Sequence, residues 1–213
     1  MKKQVSLLAL AAFLTATVAG AEEYGFDKAH SHIGFSVRHI LGPVPGEFKN
    51  YDGSFTFDAK NPSKDKIDVT IQADSISTDN EMRDHDLMSN KFFDVEKYPT
   101  LTFKSHKVDA AGKDQYKVTG DLTIHGVTKP VVLDVSYLGS DKMMGADLVG
   151  FTASTTIDRR DFGLTSDEIK LTNAGKPIVG NQITITLDIS GMDKASLAKM
   201  AAMMKAKPAP AAK

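Results

Sequence analysis

The chain has 213 residues, 41% of them apolar, with no cysteine, no tryptophan and a formal charge of -1. That is enough apolar mass for one globular core, while the missing cysteine removes disulfides and thiol nucleophiles together. The near-neutral balance offers no basic field for nucleic acid.

The first residues read as an address rather than as fold. Lys2 and Lys3 precede an apolar run from Val5 to Val18, and Ala19-Gly20-Ala21 supplies small residues at a cleavage position. These are the three regions of a secretory leader, and the run is too short to span a bilayer. Residues 1–21 are therefore predicted to be removed, giving a mature periplasmic chain that starts at Glu22. No cysteine follows the cleavage position, so a lipid-anchored lipoprotein is excluded.

From there, period-two alternation dominates. Ile33, Phe35 and Val37 share one face of the first clear strand, with His32, Ser36 and Arg38 on the other. Tyr51, Gly53, Phe55 and Phe57 alternate next, then Ile67, Val69 and Ile71, then Leu101 and Phe103. Tyr116, Val118, Leu122 and Ile124 lead into a turn at Gly126, followed by Val131, Leu133, Val135 and Tyr137. Val149, Phe151, Ala153, Thr155 and Ile157, and finally Ile183, Ile185, Leu187 and Ile189, close the series. About eight one-sided strands favour an all-β fold, a single antiparallel sheet curled around its own apolar face.

Two stretches interrupt the alternation. Thr78-Asp79-Asn80-Glu81 reads as a capping box with Thr78 as N-cap, predicting a short helix through about Met88 and then an aromatic loop from Phe92 to Pro99. Asp161 to Gly180 reads as a long polar loop, of a length that is usually functional or mobile. Residues 22–191 form one domain, and 192–213 form an Ala-, Lys- and Met-rich tail with five lysines against one aspartate. Leu197, Met200 and Met204 fit a weak amphipathic helix, a solvated tail is the plainer alternative, and the lysines make transient contact with an anionic membrane surface an expectation.

The segment His30-Ser31-His32-Ile33-Gly34-Phe35-Ser36-Val37-Arg38-His39 holds three of the six histidines. His30 and His32 share a strand face and could begin a zinc site, with His85, His125 or an acidic residue as a third ligand. No H-E-x-x-H, G-x-S-x-G, Walker A or G-x-G-x-x-G motif supports catalysis or phosphate binding, so no metal, cofactor or catalytic residue is expected. Of the four arginines, Arg83 and one of Arg159 and Arg160 are expected in ion pairs with the neighbouring aspartates. Arg38 is the best candidate for a ligand's polar end, since its planar fork suits bidentate contacts.

Four separated motifs carry a family resemblance. They are Tyr24 through His39, Arg83-Asp84-His85-Asp86-Leu87 running on to Phe103, Gly120 through Val131, and Asp158-Arg159-Arg160-Asp161-Phe162-Gly163. In these the chain resembles the YceI-like, polyisoprenoid-binding proteins. The resemblance implies a lipocalin-like, extended antiparallel barrel with one short helix and a long apolar tunnel that takes an isoprenoid chain or similar amphiphile. True lipocalins differ, because their Gly-x-Trp cannot exist here.

The reading is thus a non-enzymatic periplasmic carrier. The inward strand residues Phe35, Val37, Phe55, Phe57, Leu101, Phe103, Leu133, Val135, Phe151 and Ile185 are expected to hold the tail. Arg38, with His30, His32 or His39, is expected to meet the head group. The alternatives are a histidine-based metal-dependent enzyme acting on a quinone-like substrate, and a filled barrel that serves as an interaction module, dimeric through an exposed edge.

Overall fold

The computed structural model describes residues 21–166 and 171–206, without the side chains of Met204 and Ala206. The predicted leader and the last seven residues of the tail lie outside the described residues, as does part of the predicted long loop.

Strands β1 (Glu22–Phe26) and β2 (His32–His39) form one bent ribbon, and so do β3 (Gly42–Phe48) with β4 (Tyr51–Phe57), and β5 (Ile67–Gln72) with β6 (Ile76–Ser77). Five further strands follow: β7 (Thr100–Gly112), β8 (Gln115–Ile124), β9 (Val127–Met143), β10 (Ala146–Asp158) and β11 (Val179–Asp193). Each pairs antiparallel with its neighbour in order, and β11 returns to β1 through Tyr24↔Asp193 and Phe26↔Gly191. The result is a closed eight-stranded antiparallel barrel, the predicted architecture. Closure removes the free edges that an open sheet must protect.

The break in the first ribbon explains half of the histidine cluster. Ser31 replaces a missing ladder bond, donating to Ser190 O at 3.1 Å and accepting from Ser190 N at 3.0 Å. His30 turns outward to Asp27, with Nδ1 2.7 Å from the carboxylate. The buried Tyr51 hydroxyl donates to Ser31 O at 3.0 Å and ties the neighbouring ribbon to the same point.

Several details depart from the sequence reading. Strand β3 was not predicted, because Pro43 and Pro45 cannot donate to a ladder. They are tolerated because β3 pairs with β6 only at Glu47 and Phe48, leaving the proline edge unpartnered. Helix α1 (Glu81–Met88) has Asn80 rather than Thr78 as its N-cap, its side chain accepting from Arg83 N at 3.0 Å. Asp79 at φ +56° cannot belong to a right-handed helix, so the start moves past it. Thr78 instead receives Arg83 on its hydroxyl (2.7 Å) and carbonyl (2.8 Å), which occupies the guanidinium without the expected ion pair. A second helix, α2 (Lys194–Ala206), continues directly from β11, settling the tail through that point as helix. Leu197 lies so close over Gly25 that a Cβ there would meet it at 2.7 Å.

Candidate functional site

The inward face of the ring encloses a cavity of about 260 Å³. Its wall is apolar almost throughout: the lining side chains that carry nitrogen or oxygen are Thr56, Asp65, Tyr116, Thr155 and Arg159. All ten residues predicted for the apolar wall line it: Phe35, Val37, Phe55, Phe57, Leu101, Phe103, Leu133, Val135, Phe151 and Ile185. The stretch from Ile183 to Ile189 is a path of about 20 Å along the strand, or about 15 Å along the axis at the usual strand tilt.

Interior glycines leave room for this space. A Cβ on Gly46 would sit 2.3 Å from the Phe35 ring, and one on Gly191 would sit 2.4 Å from the Phe55 ring. The Phe35 ring thus covers its ladder partner Gly46 on β3, and the Phe55 ring reaches past β1 to Gly191 on β11. A bulge between Ser105 and Lys107 then swaps the faces of β7, so Val108 joins Leu101 and Phe103 inside.

The two ends are closed differently. At one, α1 and the aromatic loop bring Leu87, Phe92 and Phe93 onto the cavity, with Phe93 edge-on to Phe48 at 5.9 Å between ring centroids. Here Arg159, only 4% exposed, lines the lumen and donates through Nε to Gly180 O (3.0 Å) and through Nη1 to Ser166 O (2.9 Å) and Leu164 O. It thus ties the segment after the 3-10 turn Arg159–Phe162 to the start of β11. At the other end, Phe57 packs against Tyr137 and Phe151 with centroids 4.8 and 4.9 Å away. Behind it, the turn between β4 and β5 presents Asp65, 6% exposed, whose carboxylate accepts from Asp58 N at 2.9 and 3.1 Å. Burial pushes the Asp65 carboxyl up to about 6, against the lowering effect of that hydrogen bond.

None of the residues predicted for a head group lines the cavity. His32 and Arg38 have the parity opposite to Ile33, Phe35 and Val37, which puts them outside. His32 faces Glu47 at 3.1 Å, and Arg38 donates to Ile40 O (2.6 Å) and Pro177 O (2.9 Å). His30 is exposed beside Asp27, and His39 is exposed at the strand's end. His125 sits in the left-handed first position of the β8–β9 hairpin, edge-on against Tyr98, and His85 is exposed on α1. Among the described residues no three His, Asp or Glu side chains are grouped to hold a metal ion. Arg160 makes the expected ion pair, 2.6 Å from Asp158.

The two buried polar residues of the lumen, Arg159 and Asp65, were missed as wall residues. Arg159 carried a signal, since it continues the inward parity of Phe151, Ala153, Thr155 and Ile157 along β10. Asp65 carried none, lying in a turn rich in polar residues between Asp58 and Lys66.

An eight-stranded ring with an apolar lumen defines a closed antiparallel barrel of a size that can hold one small ligand. The chain belongs to the YceI-like domain family, whose model matches residues 24–191. It is 44% identical over 170 residues to a UPF0312 protein of Pectobacterium carotovorum, an alignment covering 78% of this chain and 88% of that one. Its fold matches Burkholderia cenocepacia BcnA with a TM-score of 0.67 at 25% identity, covering 78% of this chain and 98% of BcnA. It also matches a polyisoprenoid binding domain from Saccharophagus degradans with a TM-score of 0.60 at 16% identity, over 80% of this chain and 98% of that domain.

Proposed function

We propose that the protein binds a long-chain isoprenoid or similar amphiphilic lipid inside the barrel, storing or carrying it through the periplasm without chemical change. The observation that carries this reading is the continuous apolar lumen. Each methylene transferred into such a wall contributes about 0.8 kcal/mol, so a long hydrocarbon binds with few polar contacts. The name of the Saccharophagus domain, a polyisoprenoid binding domain with the same fold, supports the ligand class. The leader-like sequence at residues 1–21 supports the compartment.

Protein purified from bacterial periplasm and then denatured should release a stoichiometric lipid and no metal, read by mass spectrometry. Stoichiometric zinc without lipid reverses the reading in favour of a metal-dependent protein. Phe55→Asp or Phe151→Asp places a charge on the wall and should abolish lipid retention.

Contact with an anionic membrane is the second part of the reading. Helix α2 exposes Lys199 and Lys205 together with Met200 and Met203. Because β11 runs to Asp193, a deletion that spares the barrel begins at Lys194. Loss of binding to phosphatidylglycerol vesicles on that deletion supports the contact, and unchanged binding removes it. The edge of β3 that lies beyond its pairing with β6 is short and carries Pro43 and Pro45, so the expected homodimer would need another surface.

A further inference from the structure

Of the two charged side chains that line the lumen, Asp65 has the fewer described partners. An ionised carboxylate offers about four acceptor positions. The described bonds to Asp65 come from one donor, the Asp58 amide, shared between both oxygens. The rest of its surroundings are protein wall: Phe57, Ile67, Val108 and Tyr116 line the same end, and the residue is 6% exposed. A turn that needed only an acceptor for Asp58 N would be served by a solvated side chain. Asp58 itself does this one step away, accepting from Lys60 N at 2.9 Å.

The charged neighbours do not neutralise it. On its own turn Lys60, Lys64 and Lys66 are exposed with no described bond to it, while the negative charge of Asp58 adds to the unfavourable burial. Tyr116 faces it from β8, its phenol held protonated well above neutral pH by burial and by the negative charges of Asp114 and Asp65. On β7, against which the 3-10 turn Pro62–Lys64 packs, the basic side chains turn away: Lys107 reaches Asp109 at 2.9 Å and His106 reaches Asp121 at 2.8 Å.

We infer that the Asp65 carboxylate is the polar terminus of the lipid tunnel, selecting amphiphiles whose head is a hydrogen-bond donor, an alcohol or phenol, over those ending in an anion. This rests on the lipid-tunnel reading above. A hydroxyl arriving down the apolar lumen donates to an oxygen that the protein leaves under-bonded, and each desolvated partner satisfies the other. A carboxylate or phosphate arriving there meets like charge in a dry environment, which costs far more than in water.

The test uses the full mature chain, delipidated, with geranylgeraniol and geranylgeranoic acid as probes of matched tail, titrated separately at pH 8 and pH 5. At pH 8 the alcohol should bind about tenfold to a hundredfold tighter than the acid. At pH 5, where the site carries a proton, the ratio should shrink towards unity. Asp65→Asn keeps an acceptor for Asp58 N and should bring the pH 8 ratio down to the pH 5 value. Asp65→Ser, checked for an intact β-sheet spectrum, should do the same. A pH 8 ratio unaltered in both variants, with both probes still bound, overturns the assignment of Asp65 while leaving the tunnel reading intact. Failure of the wild-type protein to bind either probe overturns the tunnel reading and this inference with it.

Discussion

At one end of the tunnel Arg159 donates to the carbonyls of Gly180, Leu164 and Ser166; at the other, Asp65 accepts from a single amide, that of Asp58. Both side chains are almost fully buried and both line the lumen. The guanidinium is surrounded by acceptors from two segments, so its charge is spent holding the chain closed. The carboxylate has one donor and an acidic neighbour, so its ionised form is held at a cost and its pKa rises to about 6. Burial alone therefore does not tell a structural charge from a responsive one. The number of partners does.

The comparison breaks most severely at the arginine. Arg159→Leu leaves two buried carbonyls and one part-buried one without their donor and should cost about 3–5 kcal/mol, read as a shift of the urea midpoint. The loss should be the same at pH 5 and pH 8, because arginine stays charged throughout. A loss below about 1 kcal/mol would show that the segment from Gly163 to Ser166 closes the barrel without it.

Asp65 should behave in the opposite way. Its carboxyl titrates near 3.8 when unfolded and at about 6 in the fold. Between those values the folded chain holds a proton that the unfolded chain has released, so stability falls as the pH rises through that window. The full difference is about 3 kcal/mol. Asp65→Asn removes that dependence, so the variant should gain up to about 3 kcal/mol on wild type above pH 6 and nothing below about pH 4. Parallel pH profiles for the two proteins would show that Asp65 ionises freely and that the two ends are alike.

How much of this was legible follows the physics of alternation. The barrel was, because each strand must put one face inside, and Ile33-Phe35-Val37 repeats in seven further strands. The ten predicted wall residues line the cavity for the same reason. Three features were hidden. Strand β3 was masked by its prolines, acceptable only because one edge is unpaired, a fact of topology rather than of sequence. Asp65 was masked by its turn: nothing in Asn61-Pro62-Ser63-Lys64-Asp65 says that the chain folds back over the barrel mouth. Sequence context favours Arg38, on the opening strand, whereas parity along β10 turns Arg159 inward.

A smaller effect tests whether the wall, unlike the charges, is built alike at the two ends. Phe35 lies over Gly46 in the half nearer Arg159, and Phe55 lies over Gly191 in the half nearer Asp65. Gly46→Ala and Gly191→Ala each put a methyl where a ring already sits and should cost about 1–3 kcal/mol. The displaced ring must enter the lumen, so each variant should also retain less lipid per mole of protein. A stability loss at only one of the two sites would mean that one ring has room to move aside.

The smallest expected effect concerns the outer face of β2. His32 and Glu47 are both partly solvated at 3.1 Å, so His32→Ala should change stability by no more than about 0.5 kcal/mol. Arg38 holds two carbonyls near the strand's end, and Arg38→Ala should cost about 1 kcal/mol. Neither side chain lines the lumen, so lipid content after periplasmic purification should match wild type in both. Lipid lost from the Arg38 variant, with the barrel still folded, would move the head group out of the tunnel and onto the rim where Arg38 and His39 lie, beside Val179 and Gly180. It would also strip Asp65 of its role, because one head group cannot satisfy polar groups at opposite ends of a lumen about 15 Å long.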